Sequence, residues 1–286
     1  MISLIAGSNE SFMIETRAFI DQLRGTGGYQ TPAKVTVGVM DRLLGGTTLW
    51  YHRRVLGVIL KGGRMARRGG WHRDSWQDLS LDMWRGVEGC RGRLSVCGCE
   101  HLAALRSPAV IVANHMSLLE TFTIPAAVLP FQHMTFVVKA SLMRVPLFRD
   151  VMAGVRPICV RRDNPREDFK TLMNEGPVVL AEGRSIVIFP QATRNTVFSP
   201  AQFNTLGAKL AKSAGVPLMP LALKTDFHGL GRIVRDFGPV DRSKTVHFAF
   251  GPAVAVSGNG RDAHQACVDL IAGTFADWGG MVAGRE

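Results

Sequence analysis

The stretch "AVIVANHMSLLETF", Ala109 to Phe122, decides the fold. It opens as a continuous apolar run with Val110, Ile111 and Val112 in succession, the composition of a strand buried on both faces in the middle of a sheet. A polar turn follows at Asn114 and His115, and then residues of helical character. Outward from this unit the pattern repeats. "TFVVK", "RPICVRR", "SIVIFP", "VPLMPLAL" and "TVHFAFGPAV" read as strands, and "RLSVCGCEHL" as another before them. "HRDSWQDLSLDMWRGVEG", with Asp74 or Ser75 near its start, "FKTLMNEGPVVLAEG", "FNTLGAKLAKSAG" and "DAHQACVDLIAGTFADW" read as helices. Strands alternating with helices predict an α/β fold, a central mostly parallel sheet flanked by helices.

At 286 residues the chain is long enough for one large α/β domain with an N-terminal extension. Lys+Arg 34 against Asp+Glu 23 gives a formal net charge of +11, which favours anionic partners. With 46% hydrophobic residues and no helix-turn-helix, zinc or aromatic-stacking signature, the charge points to lipid rather than to nucleic acid. Five cysteines, odd in number and without paired CxxC spacing, argue for reduced thiols and against a structural zinc site. The first residues, interrupted by Asn9, Glu10, Glu15 and Arg17, do not read as an export signal. The stretch after Glu120, "TFTIPAAVLPFQHMTFVV", lacks formal charge, but Pro125 and Pro130 break it. It is expected to form a buried helix, a turn and a strand rather than a membrane span.

Residues 1–70 read as an N-terminal helical segment and 71–286 as the α/β domain. "RGTGGYQTP" is expected to be a loop or linker. Two apolar segments separated by Gly45-Gly46-Thr47-Thr48 carry many arginines, with Trp50 and Tyr51 opening the second. Two readings stand for them. One is a hairpin at a membrane surface, where amphipathic aromatics and cations suit the headgroup boundary. The other is a helix pair packed on the domain with a solvated basic face.

The chemistry concentrates at strand exits, where open α/β sheets place ligand sites. His115 and Glu120 lie five positions apart and meet only if His115 precedes the helix. Ser117 as the N-cap supplies that geometry, with Glu120 at the third helical position. A carboxylate on one imidazole nitrogen fixes the tautomer, and the other nitrogen can then take a proton from an alcohol. Ser-Leu-Leu-Glu is also a capping-box pattern, which explains Ser117 and Glu120 without catalysis. "FPQATRN" ends a second strand with Thr193 and Arg194, a hydroxyl and a guanidinium suited to a phosphate. "RPICVRR" places Arg161 and Arg162 at a third.

"NHMSLLE" resembles the NHxxxxD/E block of the glycerolipid acyltransferases, the group that includes the 1-acylglycerol-3-phosphate acyltransferases. "RPICVRR" resembles their second block, "FPQATR" their FPEGTR block and "VPLMPLAL" their fourth, in the same order over about Leu94 to Ala255. The resemblance implies that His115 is the general base on an acceptor hydroxyl, oriented by Glu120. It implies that Arg162, Thr193 and Arg194, with Gln191 and Lys139 in the same groove, bind the acceptor. The donor is then acyl-CoA or acyl-carrier protein, with direct attack, no acyl-enzyme and no cofactor. The implied acceptor is a lysophospholipid, 1-acyl-sn-glycerol-3-phosphate first. Glycerol-3-phosphate, another lysophospholipid, a lipid A precursor and a non-catalytic lipid- or acyl-carrier-binding role are the alternatives. Peripheral attachment to anionic lipid on the cytoplasmic face of the inner or plasma membrane follows from the same reading. Two positions depart from the family pattern. Gln191-Ala192 replaces Glu-Gly, removing a carboxylate and adding a methyl group, and is expected to raise the positive charge of the acceptor site. Glu120 stands where aspartate is commoner.

Overall fold

Ala109, Ile111 and Ala113 face one hydrophobic core while Val110 and Val112 face a second, so the deciding run is a strand covered on both sides. The computed structural model describes residues 14–191 and 193–284. The stretch 1–13, read above against an export signal, and Ala192 lie outside the described residues.

The N-terminal segment forms α1 (Thr16–Thr26), β1 (Tyr29–Gln30), α2 (Val39–Leu44) and α3 (Thr48–Arg67). Then come α4 (Arg73–Gly89), β2 (Arg93–Cys97), α5 (Cys99–Ala103), β3 (Val110–Ala113), α6 (Leu119–Val128), β4 (His133–Lys139), α7 (Pro146–Val155) and β5 (Ile158–Val160). The chain continues through α8 (Pro165–Ala181), β6 (Arg184–Ile188), β7 (Val197–Phe198), α9 (Leu206–Ala214), β8 (Leu218–Lys224), β9 (Thr245–Phe250), α10 (Arg261–Asp277) and β10 (Met281–Val282). Eight strands form one sheet in the order β1-β2-β9-β8-β3-β6-β4-β5. The run from β8 to β5 is parallel throughout, whereas β9 is antiparallel to β8 and β1 to β2. Residues of α1, α3, α4, α6 and α7 fill one core, and those of α8, α9 and α10 the other.

Three local readings differ from expectation. Tyr29–Gln30, expected in a loop, pairs with β2 at Val96 and Ser95. "RLSVCGCEHL" is a strand only as far as Cys97. Gly98 adopts φ 79°, where a Cβ would stand 1.9 Å from the Phe250 carbonyl oxygen, and the chain turns into α5. The start of α4 is capped by His72, whose Nδ1 accepts from the Ser75 amide while the Ser75 hydroxyl accepts from the His72 amide. In contrast, "NPRED" opens a helix as its composition suggests, with Asn164 capping two amides and Pro165 in the first turn.

The two N-terminal apolar segments are α2 and α3, joined by a turn in which the Thr47 hydroxyl caps Trp50. Tyr51 is fully buried in the core, so it does not sit at a headgroup boundary. Val39, Leu43 and Leu49 remain exposed at 70%, 68% and 81%. No helix among the described residues is long and apolar enough to cross a membrane.

The charge-free stretch after Glu120 is buried instead, its first part in α6, whose inner proline packs beside α4. Pro125 lies within the helix, and the Ser80 hydroxyl inserts one residue later. It donates to the Phe122 carbonyl at 2.6 Å and accepts from the Ala126 amide at 2.7 Å, replacing the rung between them. Trp84 Nε1 donates to the Thr123 carbonyl and Gln77 Nε2 to that of Ala126, so one face of α4 satisfies the disturbed backbone of α6. Ser80→Ala leaves a buried carbonyl and a buried amide without this partner. Urea unfolding should show a loss of about 1–3 kcal/mol, and an unchanged midpoint would refute the bridging role.

Candidate active site

Because β8, β3, β6, β4 and β5 run parallel, their carboxyl ends emerge along one edge of the sheet. The first three sequence blocks reach these exits, and the fourth runs along β8 itself. At the exit of β3 the Asn114 amide bonds both backbone groups of Leu223, donating at 2.7 Å and accepting at 2.8 Å. It continues the pairing of β3 with β8 after the strand has ended.

His115 follows, with its ring stacked on Phe189 at 4.1 Å between centroids. Its Nδ1 lies 2.5 Å from Glu120 Oε2. The other carboxylate oxygen accepts from the amides of Met116 at 2.7 Å and Ser117 at 2.9 Å, and from the Thr225 hydroxyl at 2.5 Å. Glu120 is fully buried, and all its partners donate, as an acceptor-only carboxylate requires. Nδ1 therefore carries the proton, and Nε2 is left with a lone pair. Ser117 is not the N-cap expected above. The helix begins at Leu119, and Ser117 Oγ accepts from that residue's amide while donating to Thr225. Glu120 reaches back over the helix start, so the capping geometry and the His–carboxylate pair coexist.

His115 lines a cavity of about 260 Å³ together with Lys139, Arg162, Thr193 and Arg194, so residues from the first three blocks and from the end of β4 converge there. Its apolar part is built by Phe122, Phe136, Phe148 and Met152. Phe148 and Met152 come from α7, which the sequence reading omitted. The signals for it were Pro146 at the first helical position and the apolar spacing of Phe148, Val151, Met152 and Val155.

The turn at Arg162 adopts φ 64°, and the amides of Arg161 and Arg162 donate to the two oxygens of Asp168 at 2.8 Å each. A non-glycine residue in that region marks a turn held by its surroundings. Solvent reaches Arg162, yet desolvation in the cleft lowers its guanidinium from the ordinary value while Asp168 opposes the change. The group remains a cation. Gln191 does not border the cavity. It is buried, and its amide nitrogen points to the Val197 carbonyl at 3.5 Å, which removes it from the groove in which it was expected.

The segment between β8 and β9 brings residues that the sequence reading did not single out. Asp236 forms an ion pair with Arg194, and Arg235 donates to the Arg194 carbonyl at 2.7 Å; both line the cavity. Asp236 thus supplies a carboxylate beside the cations, while Arg235 brings a further cation to the same cavity. The only sequence signal was the mixed charge of "GRIVRDF". Asp236 is held from behind by His228, whose Nε2–H donates to its carbonyl at 2.9 Å. His228 Nδ1 accepts from the Tyr51 hydroxyl of α3 at 2.9 Å. Burial pushes the His228 imidazole down to about 4, with the hydrogen bond to Asp236 working the other way. No group of three or more histidine, cysteine or acidic side chains able to hold a metal occurs among the described residues.

The family model described as Acyltransferase matches residues 93–224. A 1-acyl-sn-glycerol-3-phosphate acyltransferase of Pseudomonas aeruginosa is 31% identical over 186 residues, covering 65% of this chain and 68% of that one. A protein of the same description from Chlamydomonas reinhardtii is 29% identical over 131 residues, 46% of this chain and 38% of its own length. The crystal structure of the 1-acyl-sn-glycerophosphate (LPA) acyltransferase PlsC from Thermotoga maritima superposes with a TM-score of 0.58 at 17% identity. It covers 84% of this chain and 97% of that one, and the likeness is one of fold.

Two measurements probe this site. Thr225→Val keeps the shape but leaves Glu120 one donor short, so urea unfolding should show a loss of about 1–3 kcal/mol; no loss would mean that the bond contributes nothing. His228 makes stability depend on pH. Between 6.5 and about 4 the unfolded chain binds a proton that folded His228 does not, so stability falls as pH drops through that window. The contribution is on the order of 3 kcal/mol, and His228→Gln should flatten the slope measured by urea unfolding across the window. A slope that persists unchanged would assign it to other groups.

Proposed function

Because this chain belongs to the acyltransferase family, we propose that it transfers a fatty acyl group from acyl-CoA or acyl-carrier protein to the free hydroxyl of 1-acyl-sn-glycerol-3-phosphate. The observation that carries the reading is the His115–Glu120 bond at Nδ1, which leaves Nε2 as the available base on a residue lining the cationic cavity. In the proposed reaction the acceptor hydroxyl gives its proton to Nε2 as its oxygen attacks the thioester carbonyl. An ester C–O bond forms, the C–S bond breaks, and the proton returns from the imidazolium to the departing thiolate. Glu120 holds the ring in one tautomer and stabilises its charged form without touching substrate. Arg162, Thr193, Arg194 and Lys139 are assigned to the acceptor phosphate, for which guanidinium groups offer planar paired donors. Asp236 holds Arg194 until the phosphate replaces it.

A lipid acceptor also suits the surface. The +11 charge attracts anionic headgroups, and the exposed apolar residues of α2 and early α3 offer contact with acyl chains. We place the protein peripherally on the cytoplasmic leaflet on that basis. The two named relatives are described as acyltransferases for the same class of acceptor, which favours it over glycerol-3-phosphate.

The test is acyl transfer from labelled acyl-CoA, with acyl-carrier protein in parallel, to a panel of acceptors in mixed micelles. Wild type should prefer 1-acylglycerol-3-phosphate, and a folded His115→Ala variant should lose about 10²–10⁴ in rate. Retained activity in that variant removes His115 from the mechanism, and preference for an acceptor without phosphate removes the assignment of the cations.

A further inference from the structure

A second cavity of about 590 Å³ lies against the catalytic one and shares Val137, Phe189 and Arg162 with it. Phe189 is the ring on which His115 stacks, so one aromatic wall separates the base from this second space. The remaining walls are largely hydrocarbon, including Val160, Leu172, Ile188 and Leu206. Its polar lining is mostly engaged elsewhere. Asn204 donates to the Pro190 carbonyl and accepts from the Leu206 amide, and both oxygens of Asp168 accept backbone amides. Lys209 lies over the Phe169 ring at 5.5 Å. A ligand rich in amides or hydroxyls finds few free partners here, whereas an alkyl chain needs none.

The catalytic cavity, at about 260 Å³, falls below the ~300–1,000 Å³ usual for a single small ligand, so it does not hold two lipid-like substrates. Its own apolar depth at Phe122, Phe136, Phe148 and Met152 suits the chain of the acyl donor. We propose that the second cavity is the binding groove for the hydrocarbon chain of the acceptor, the 1-acyl chain of a lysophospholipid, with Arg162 at the shared wall meeting its phosphate. This assignment rests on the acceptor reading given above. Charge and shape are complementary. A cation at the mouth of an apolar groove matches an amphiphile with one anionic head and one chain, and the path past Phe189 leads toward His115.

The groove predicts that acceptor and donor chains are read separately. The experiment measures kcat/KM of the full chain in mixed micelles, first over a series of 1-acyl chain lengths in the acceptor, then over a series of donor chains. Each acceptor methylene buried in the groove should raise kcat/KM by up to about fourfold until the groove is full. Leu206→Trp narrows the groove at a partly buried position, where the fold can accept a larger side chain. It should lower kcat/KM for long-chain acceptors by roughly tenfold, the effect of excluding about two methylenes. The shortest acceptor and the donor profile should be unchanged. Phe169→Ala, at an exposed rim position, should shift the optimum to longer acceptor chains. A changed donor profile gives the groove to the other substrate and overturns the proposal. So does an equal loss for all acceptors in a variant that melts like wild type, or indifference of the wild type to acceptor chain length. If the wild type acylates no lysophosphatidate at all, the acceptor reading itself falls, a result distinct from any of these.

Discussion

One buried carboxylate organises this protein. Glu120 is inaccessible to water, and leaving such a charge without partners would cost several kcal/mol. Four donors meet it: the imidazole of His115, the amides of Met116 and Ser117, and the hydroxyl of Thr225. Three of them belong to the turn that Glu120 itself closes, and the fourth comes from the end of β8. The same groups that make the burial tolerable therefore fix the turn, the helix start and the tautomer of the histidine. Ser117 extends the network by donating to Thr225 while receiving the first amide of α6. Asn114, one residue before the histidine, bonds both backbone groups of Leu223 and keeps the two strand exits in register. The result is an imidazole whose position is set by backbone and core rather than by surface loops, which is what a preorganised site requires.

The sheet explains why cations gather around that imidazole. Parallel strands deliver their carboxyl ends to one edge, so arginines far apart in sequence face a common cavity without any long loop to carry them. Like charges held close together repel, and the structure relieves part of this with carboxylates. Asp168 receives the backbone of the Arg162 turn, and Asp236 pairs with Arg194. Both acids are anchored, the first at the opening of α8 and the second through the His228–Tyr51 pair on α3. The N-terminal helix thus contributes to the site at one remove. Tyr51 fills the core and holds the imidazole that holds the Asp236 backbone. His52 adds a second tie through its Nε2 and the Gly238 carbonyl, 2.8 Å apart.

The two sides of the sheet are shaped differently at this edge. On one side α6 and α7 enclose an apolar depth beside His115, and the proline of α6 is tolerated because α4 repairs the rung it breaks. On the other, α8 and α9 leave a longer trough whose polar groups are mostly satisfied among themselves. Phe189, at the end of β6, stands between them and stacks on the imidazole.

The sequence by itself determined the α/β class, the longer strands and most of the helices, because hydrophobic period and turn chemistry act over a few residues. It also offered His115 and Glu120 as a pair, on the condition that His115 precedes the helix, beside a capping-box reading that needed no such pair. Only the tertiary structure decided the rest. Thr225 bonds Glu120 across 105 positions, and Arg194 meets Asp236 across 42. No local signal distinguishes that threonine or aspartate from others in polar turns. The departure at Gln191 was legible, but its consequence was not, because the side chain turns away from the cavity while a carboxylate from another segment stands beside Arg194. Tyr51 suited either an interfacial aromatic or a residue of a packed helix, and it is a core residue, since amphipathic composition shows that a helix has an apolar face but not what covers it. Periodicity fixes which face of an element is buried, and chain topology, which sums contacts over the whole fold, fixes against what.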